Sequence, residues 1–220
     1  MKIAIIGGGA SGIYLSLLLK QKYHFFDINV YEASPKILTK LKAAGNGKCN
    51  INNKIDDINS YNHPDFVQKH FSTYDINTQL NELKNLGILV KELSPNCLYP
   101  ISESGDNVKR ILTKKANDLG VKIFLDKCFE SYEIIDNKII VNFFDGEVVN
   151  TDALVFASGT HASTRDDKSY IVFNELKRHG YILNELKPAL CPIKVKENVK
   201  KLSLVNMSTR VVENWFKLLR

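Results

Sequence analysis

The chain has 220 residues, of which 44% are apolar and 25% charged, enough for one globular core and too apolar for a disordered or fibrous chain. Thirty Lys and Arg against 24 Asp and Glu leave a net charge of +6. That excess is spread along the sequence, so contact with phosphates is permitted while no nucleic-acid partner is indicated.

Lys2 to Ile6 is a short β-branched run that ends in Gly7-Gly8-Gly9, the pattern of a buried strand feeding a tight turn. Ile13, Leu15, Leu17, Leu18 and Leu19 then predict a helix over Gly12 to Lys20, followed by a strand over Ile28 to Tyr31. Two strands joined this way are expected to be parallel. Ala33 to Asn62 has no sustained period, which in a compact domain suggests a segment wrapped around a ligand. Ile76, Leu80, Leu83 and Leu86 mark one face of a helix stopped by Gly87. Val108, Ile111, Leu112, Ala116 and Leu119 mark another, capped by Ser104 or Asp106 and stopped by Gly120. Val121 to Leu125 reads as a strand, and Phe129 to Val149 as a three-stranded meander turning at Asp136-Asn137 and Asp145-Gly146. Leu154 to Phe156 is a further buried strand running into Ala157-Ser158-Gly159. Beyond Lys194 the pattern is strand-like, then helical from Val211 to Leu219.

The densest chemistry is Gly7-x-Gly9-x-x-Gly12, placed between a strand and a helix. The first glycine permits the turn, the second lets backbone approach a pyrophosphate, and the third lets helix and strand pack closely. The amides and positive end of the following helix attract phosphates. Glu32 lies 20 residues beyond Gly12 at the end of the second strand, where a carboxylate accepts hydrogen bonds from ribose hydroxyls and repels a 2′-phosphate. A dinucleotide site follows from this combination, though the turn itself does not distinguish FAD from NAD.

Lys36-Ile37-Leu38 together with Gly45-Asn46-Gly47-Lys48-Cys49-Asn50-Ile51-Asn52-Asn53 resembles the K-x-L…G-x-G-R-C-N-x-T-N signature of a bacterial family of FAD-dependent oxidoreductases, the one that includes aminoacetone oxidase and a bile-acid dehydro-reductase. Leu98 to Ser102, Phe156 to Gly159 and Pro188 to Pro192 are similar to three further segments of that family, in the family's order. The resemblance implies an α/β, glutathione-reductase-like fold: a Rossmann-type parallel sheet with a three-stranded β-meander and FAD extended across the strand ends. It implies that Gly7, Gly9, Ala10, Ser11 and Gly12 hold the pyrophosphate, and that Glu32, with Ala33 beside it, holds the adenosine ribose. Gly45, Gly47, Lys48, Cys49 and Asn50 would pass near the flavin, Phe129 would offer backbone to the adenine, and Ala157, Ser158 and Gly159 would close over the middle of the cofactor. Lys48 could offer a cation to a phosphate or to reduced flavin, while Cys49 is better read as a small packed hydrophobe than as a reactive thiol.

Three departures stand against the family pattern. Lys48 replaces an arginine, keeping the charge but not the planar fork. Ser163 to Tyr170 lacks the glycines of the corresponding family loop. The chain ends where an inserted β-rich substrate domain is expected, so residues 1–193 read as an FAD-binding domain incomplete relative to the family, and 194–220 as the start of that insert or an irregular tail. The expectation is an FAD-binding oxidoreductase transferring hydride or electrons through the flavin, with NAD(P)H as a candidate donor and an unidentified small-molecule substrate; no catalytic side chain is assigned. A partner chain supplying the missing half is a further expectation. The rivals are a degenerate, non-catalytic nucleotide-binding module, an NAD-only dehydrogenase and, remotely, a nucleic-acid binder. Cys49, Cys97, Cys128 and Cys191 lack C-x-x-C spacing and read as reduced thiols of a cytoplasmic protein without a metal site. No apolar run approaches the roughly 20 residues that span a bilayer, and the early glycines argue against a cleaved signal peptide.

Overall fold

A computed structural model describes residues 1–54, 58–160 and 168–184. In chain order it contains β1 (Lys2–Ile6), α1 (Ala10–Lys22), β2 (Asp27–Tyr31), α2 (Thr39–Ala43), β3 (Asn52–Asn53), α3 (Pro64–Phe71), α4 (Ile76–Asn85), β4 (Val90–Ser94) and β5 (Cys97–Pro100). These are followed by α5 (Gly105–Asp118), β6 (Lys122–Phe124), β7 (Phe129–Ile135), β8 (Lys138–Phe143), β9 (Val148–Thr151), β10 (Ala153–Phe156) and α6 (Ser169–Arg178). A 3-10 turn spans Ile58–Ser60.

Four strands form a parallel sheet in the order β10-β1-β2-β6. Side chains of a strand alternate between faces, and β1 feeds two cores. Ile3 and Ile5 join Ile13 and Leu17 of α1, Ile28 and Val30 of β2, and Leu112 and Ala116 of α5. Ala4 and Ile6 join Phe129, Tyr132, Val141, Phe143 and Val149 of the meander and Val172 of α6. The sheet is therefore sandwiched between helices and meander, and burying each large aliphatic side chain contributes roughly 1.5–3 kcal/mol. The meander is antiparallel in the order β7-β8-β9, as its alternation predicts.

The helix ends follow their capping chemistry. Ser104 Oγ accepts the Asn107 N–H at 3.2 Å to open α5, and Gly120 closes it with φ +71°. Asp75 Oδ1 accepts the Thr78 N–H at 2.8 Å to open α4. A shared carboxylate ties α1 to α4: Tyr14 Oη donates to Glu82 Oε2 at 2.7 Å, and Tyr74 Oη donates to the same oxygen.

The expectation of a structureless Ala33 to Asn62 needs correction, because α2 and β3 lie inside it. Helix α3 and strands β4 and β5 also have no counterpart in the periodicity reading. Strand β5 pairs with both β3 and β4 in a small antiparallel sheet. Residues 91–94 of β4 are exposed, so no apolar alternation marks them. The expectations for Pro188 to Pro192, for the tail from Lys194 and for Cys191 lie outside the described residues, as does most of the Ser163 to Tyr170 loop.

Candidate functional site

The carboxyl end of β1 meets the ends of β2 and β10 in a tight turn. Gly7 donates its N–H to the Tyr31 carbonyl at 2.8 Å, and Ala157 donates its own to the Ile6 carbonyl at 2.8 Å. Gly7 has φ +115°, and a Cβ there would run into the Ala157 carbonyl and lie 2.9 Å from Ser158 Cα. A Cβ on Gly12 would collide with the Gly7 carbonyl, so the helix sits directly on the turn. Gly9 differs from both: a Cβ there has nothing within 4 Å, and the backbone faces open space. Between β1 and β10 the strand order changes direction from one side of β1 to the other, which is where open α/β sheets place ligands.

Helix α1 begins after Gly9 with no side-chain cap and no acidic residue in its first turn. The N–H groups of Gly9, Ala10 and Ser11 have no acceptor among the described residues, and Ala10 and Ser11 are exposed. Unpaired donors at the positive end of a helix dipole bind anions. The Gly8 amide is engaged: it donates to Glu32 Oε2 at 2.7 Å, while the Ser34 N–H donates to Glu32 Oε1 at 2.9 Å. Each carboxylate oxygen keeps a lone pair for another donor. Glu32 and Ala33 are half-buried, and the chain entering the meander runs beside them, with the Lys127 N–H donating to the Glu32 carbonyl at 2.9 Å and the Asp126 N–H to the Ser34 carbonyl at 3.3 Å. Phe129 opens β7 just beyond; its ring is buried edge-on to Phe156, centroids 5.3 Å apart. Gly159, at φ +75°, is exposed past the end of β10.

The loop Gly45 to Asn50 follows α2. Asn46 (φ +56°) and Cys49 (φ +62°) share its left-handed backbone with the two glycines. The Cys49 N–H closes the loop onto the Ala44 carbonyl at 2.9 Å, and the Gly47 carbonyl accepts the Gly105 N–H at 2.9 Å, docking the loop on the start of α5. Cys49 is fully buried in the helix-side core, and burial pushes its thiol pKa up, which suits packing rather than reactivity. Lys48 lies 3.3 Å from Glu103, a carboxylate that also pairs with Lys91 at 2.6 Å and is held below the usual carboxylate range by those two lysines. The structure thus gathers Gly7, Gly9, Ala10, Ser11, Gly12, Glu32, Ala33, Ala157, Ser158 and Gly159 around one crevice. Gly45, Gly47, Lys48 and Asn50 occupy a loop joined to that crevice through α2.

Sequence reasoning overlooked three participants. Gly8 has no room for a side chain, since a Cβ would lie 2.7 Å from Ile37 Cγ2. Leu38 donates its N–H to the Gly8 carbonyl at 2.9 Å. Lys40 donates its ammonium to the Thr160 carbonyl at 2.6 Å. The run of three glycines was the available signal for Gly8 and the Lys36-Ile37-Leu38 motif that for Leu38; the Lys40 contact arises from tertiary placement.

A parallel sheet with an open glycine turn at its switch point and a carboxylate at the neighbouring strand end defines a Rossmann-type dinucleotide-binding domain. The chain belongs to the HI0933-like protein Rossmann domain family, which matches residues 1–178. It is similar to the 3-dehydro-bile acid delta(4,6)-reductase of Clostridium scindens, 27% identical over 202 residues that cover 90% of this chain and 48% of that protein. It is also similar to the L-aspartate oxidase of Pyrococcus furiosus, 28% identical over 174 residues that cover 72% of this chain and 37% of that protein. The chain therefore spans about half or less of the length of the curated relatives it matches. Among solved structures, THI4 of Thermovibrio ammonificans shares the fold with a TM-score of 0.52 at 16% identity, over 83% of this chain and 64% of that one.

Proposed function

We propose that this chain is the FAD-binding part of a flavin-dependent oxidoreductase, acting on a small molecule with NAD(P)H as a candidate electron donor. One observation carries the reading: the Gly9, Ala10 and Ser11 amides are open at the same crevice into which Glu32 is fixed by the Gly8 and Ser34 amides. The open amides would hold the diphosphate, and the pre-oriented Glu32 carboxylate would accept the adenosine ribose hydroxyls. Backbone at Gly9 leaves room for close approach, since no atom fills the place of its missing Cβ. Ala157 to Gly159 form the opposite wall, held by the hydrogen bond that extends β10 along β1. When bound, FAD supplies hydride or electron transfer through its isoalloxazine ring. In this reading the substrate pocket is built by sequence corresponding to the rest of the relatives' length, carried on the same polypeptide or on a partner chain.

A cytoplasmic setting is part of the proposal, and the three described cysteines, all free thiols, suit it. Among the described residues no helix is long and apolar enough to cross a membrane. Titrating the purified chain with FAD tests the reading: saturable, stoichiometric binding with quenched flavin fluorescence is expected. Tighter binding of NAD than of FAD, or no binding of either, would overturn it.

A further inference from the structure

The lysines near the crevice fall into two kinds. Lys42 pairs with Asp106 at 3.1 Å, and Lys48 lies 3.3 Å from Glu103, which it shares with Lys91. Lys40 has no acidic partner among the described residues; its ammonium rests on a neutral carbonyl, that of Thr160, at 2.6 Å. The place of that contact matters. Leu38, two residues before Lys40, is pinned to the Gly8 carbonyl at 2.9 Å and turns the chain with φ +58°. Thr160 lies three residues past Ala157, whose carbonyl abuts Gly7. The Lys40 side chain therefore links the chain just past that pin to the exit of β10.

We propose that Lys40 is a clasp for the diphosphate of the bound cofactor. An ammonium carries three donors, and one carbonyl uses one of them. With a diphosphate in the crevice, the Lys40 ammonium would donate to a phosphate oxygen, a charge-assisted bond stronger than the bond to a neutral carbonyl. It would then join α2 and the β10 exit across the ligand. This inference rests on the FAD reading above and adds to it a specific cation that the glycine turn does not contain.

The test compares FAD dissociation constants of the full chain for the wild type, Lys40→Met, Lys40→Arg and the neighbouring control Lys42→Met. At about 50 mM salt, Lys40→Met should bind about tenfold more weakly, and the difference should fall to about twofold at about 500 mM, where screening is strong. Lys40→Arg should stay within about twofold of wild type because it keeps the charge. Lys42→Met should bind as the wild type does. Equal affinity of Lys40→Met and wild type at low salt would overturn the proposal, and so would a loss that persists undiminished at high salt, which marks a structural role. A wild-type chain that binds no FAD would instead sink the functional reading itself.

Discussion

Replacing Gly9 by alanine separates a glycine kept for the fold from one kept for the ligand. Gly9 has φ −75° and ψ −172°, extended backbone that alanine adopts freely, and its Cβ would meet nothing within 4 Å. The unfolded chain loses some entropy with alanine, while the helix N-cap slightly prefers glycine, so stability should change by less than about 1 kcal/mol. The same methyl would stand where a diphosphate must lie against the backbone. A steric intrusion of that size costs about 1–3 kcal/mol, or roughly 5- to 150-fold in FAD affinity. Gly7→Ala should behave in the opposite way. Its φ of +115° costs about 1–3 kcal/mol for a residue with a side chain, and the collision with the Ala157 carbonyl adds a comparable amount. The total is a large share of a typical domain stability of about 5–15 kcal/mol. Urea unfolding midpoints and FAD titrations of both variants give the comparison. A Gly9→Ala protein that is stable and binds FAD like wild type would refute the argument, as would one destabilised as much as Gly7→Ala.

Glu32→Ala removes the acceptor of the buried Gly8 N–H and should cost about 1–3 kcal/mol in unfolding free energy, while Glu32→Gln, which keeps one acceptor oxygen, should cost less; both should weaken FAD binding. Glu175 is a buried carboxylate that accepts the Tyr132 N–H at 2.9 Å and pairs with Arg178 at 2.7 Å, and these donors hold its pKa below the usual carboxylate range. Its contribution is therefore present above the unfolded carboxylate pKa and is lost as pH falls through the lower folded value. Because Arg178 is half-exposed, Glu175→Gln should destabilise by only about 1–3 kcal/mol near neutrality, with the gap closing below about pH 4 in thermal melts run across acid pH. Cys49, buried with its thiol pKa raised, should resist alkylation in the native protein at pH 8 and react only after denaturation; mass mapping that finds it labelled alongside half-buried Cys97 in the native state would contradict the packing role.

The central sheet was legible because its strands and helices carry strong periods and clear stops. Ile3 and Ile5 sit in an uninterrupted apolar run, Ile28 and Val30 in a compact strand-like one, and Gly87 and Gly120 end α4 and α5 with positive φ as their positions predict. The glycine turn and Glu32 were legible for the same reason, since their spacing is local. Helix α2 was not, being one short turn of Thr39–Ala43 with two lysines and no apolar face to repeat. Helix α3 carried a readable signal in Pro64 at its first position, but Phe66 and Phe71 are exposed and blur its period. Strand β4 hides behind an exposed run, Lys91 to Ser94, because it is the edge of a small three-stranded sheet and pairs with β5 alone. Within the site, the second bond of Glu32 to Gly8 and the reach of Lys40 to Thr160 join residues 24 and 120 positions apart, distances at which local pattern carries no information.

The central claim is that the amides opening α1 receive a dinucleotide diphosphate while Glu32 takes the ribose. Backbone amide NMR shifts of the labelled chain, followed while FAD is added, test it most directly. The account predicts the largest shifts at Gly9, Ala10 and Ser11, with a second group at Glu32 and Ala33. Binding that leaves those amides unmoved and shifts residues elsewhere on the fold would contradict it.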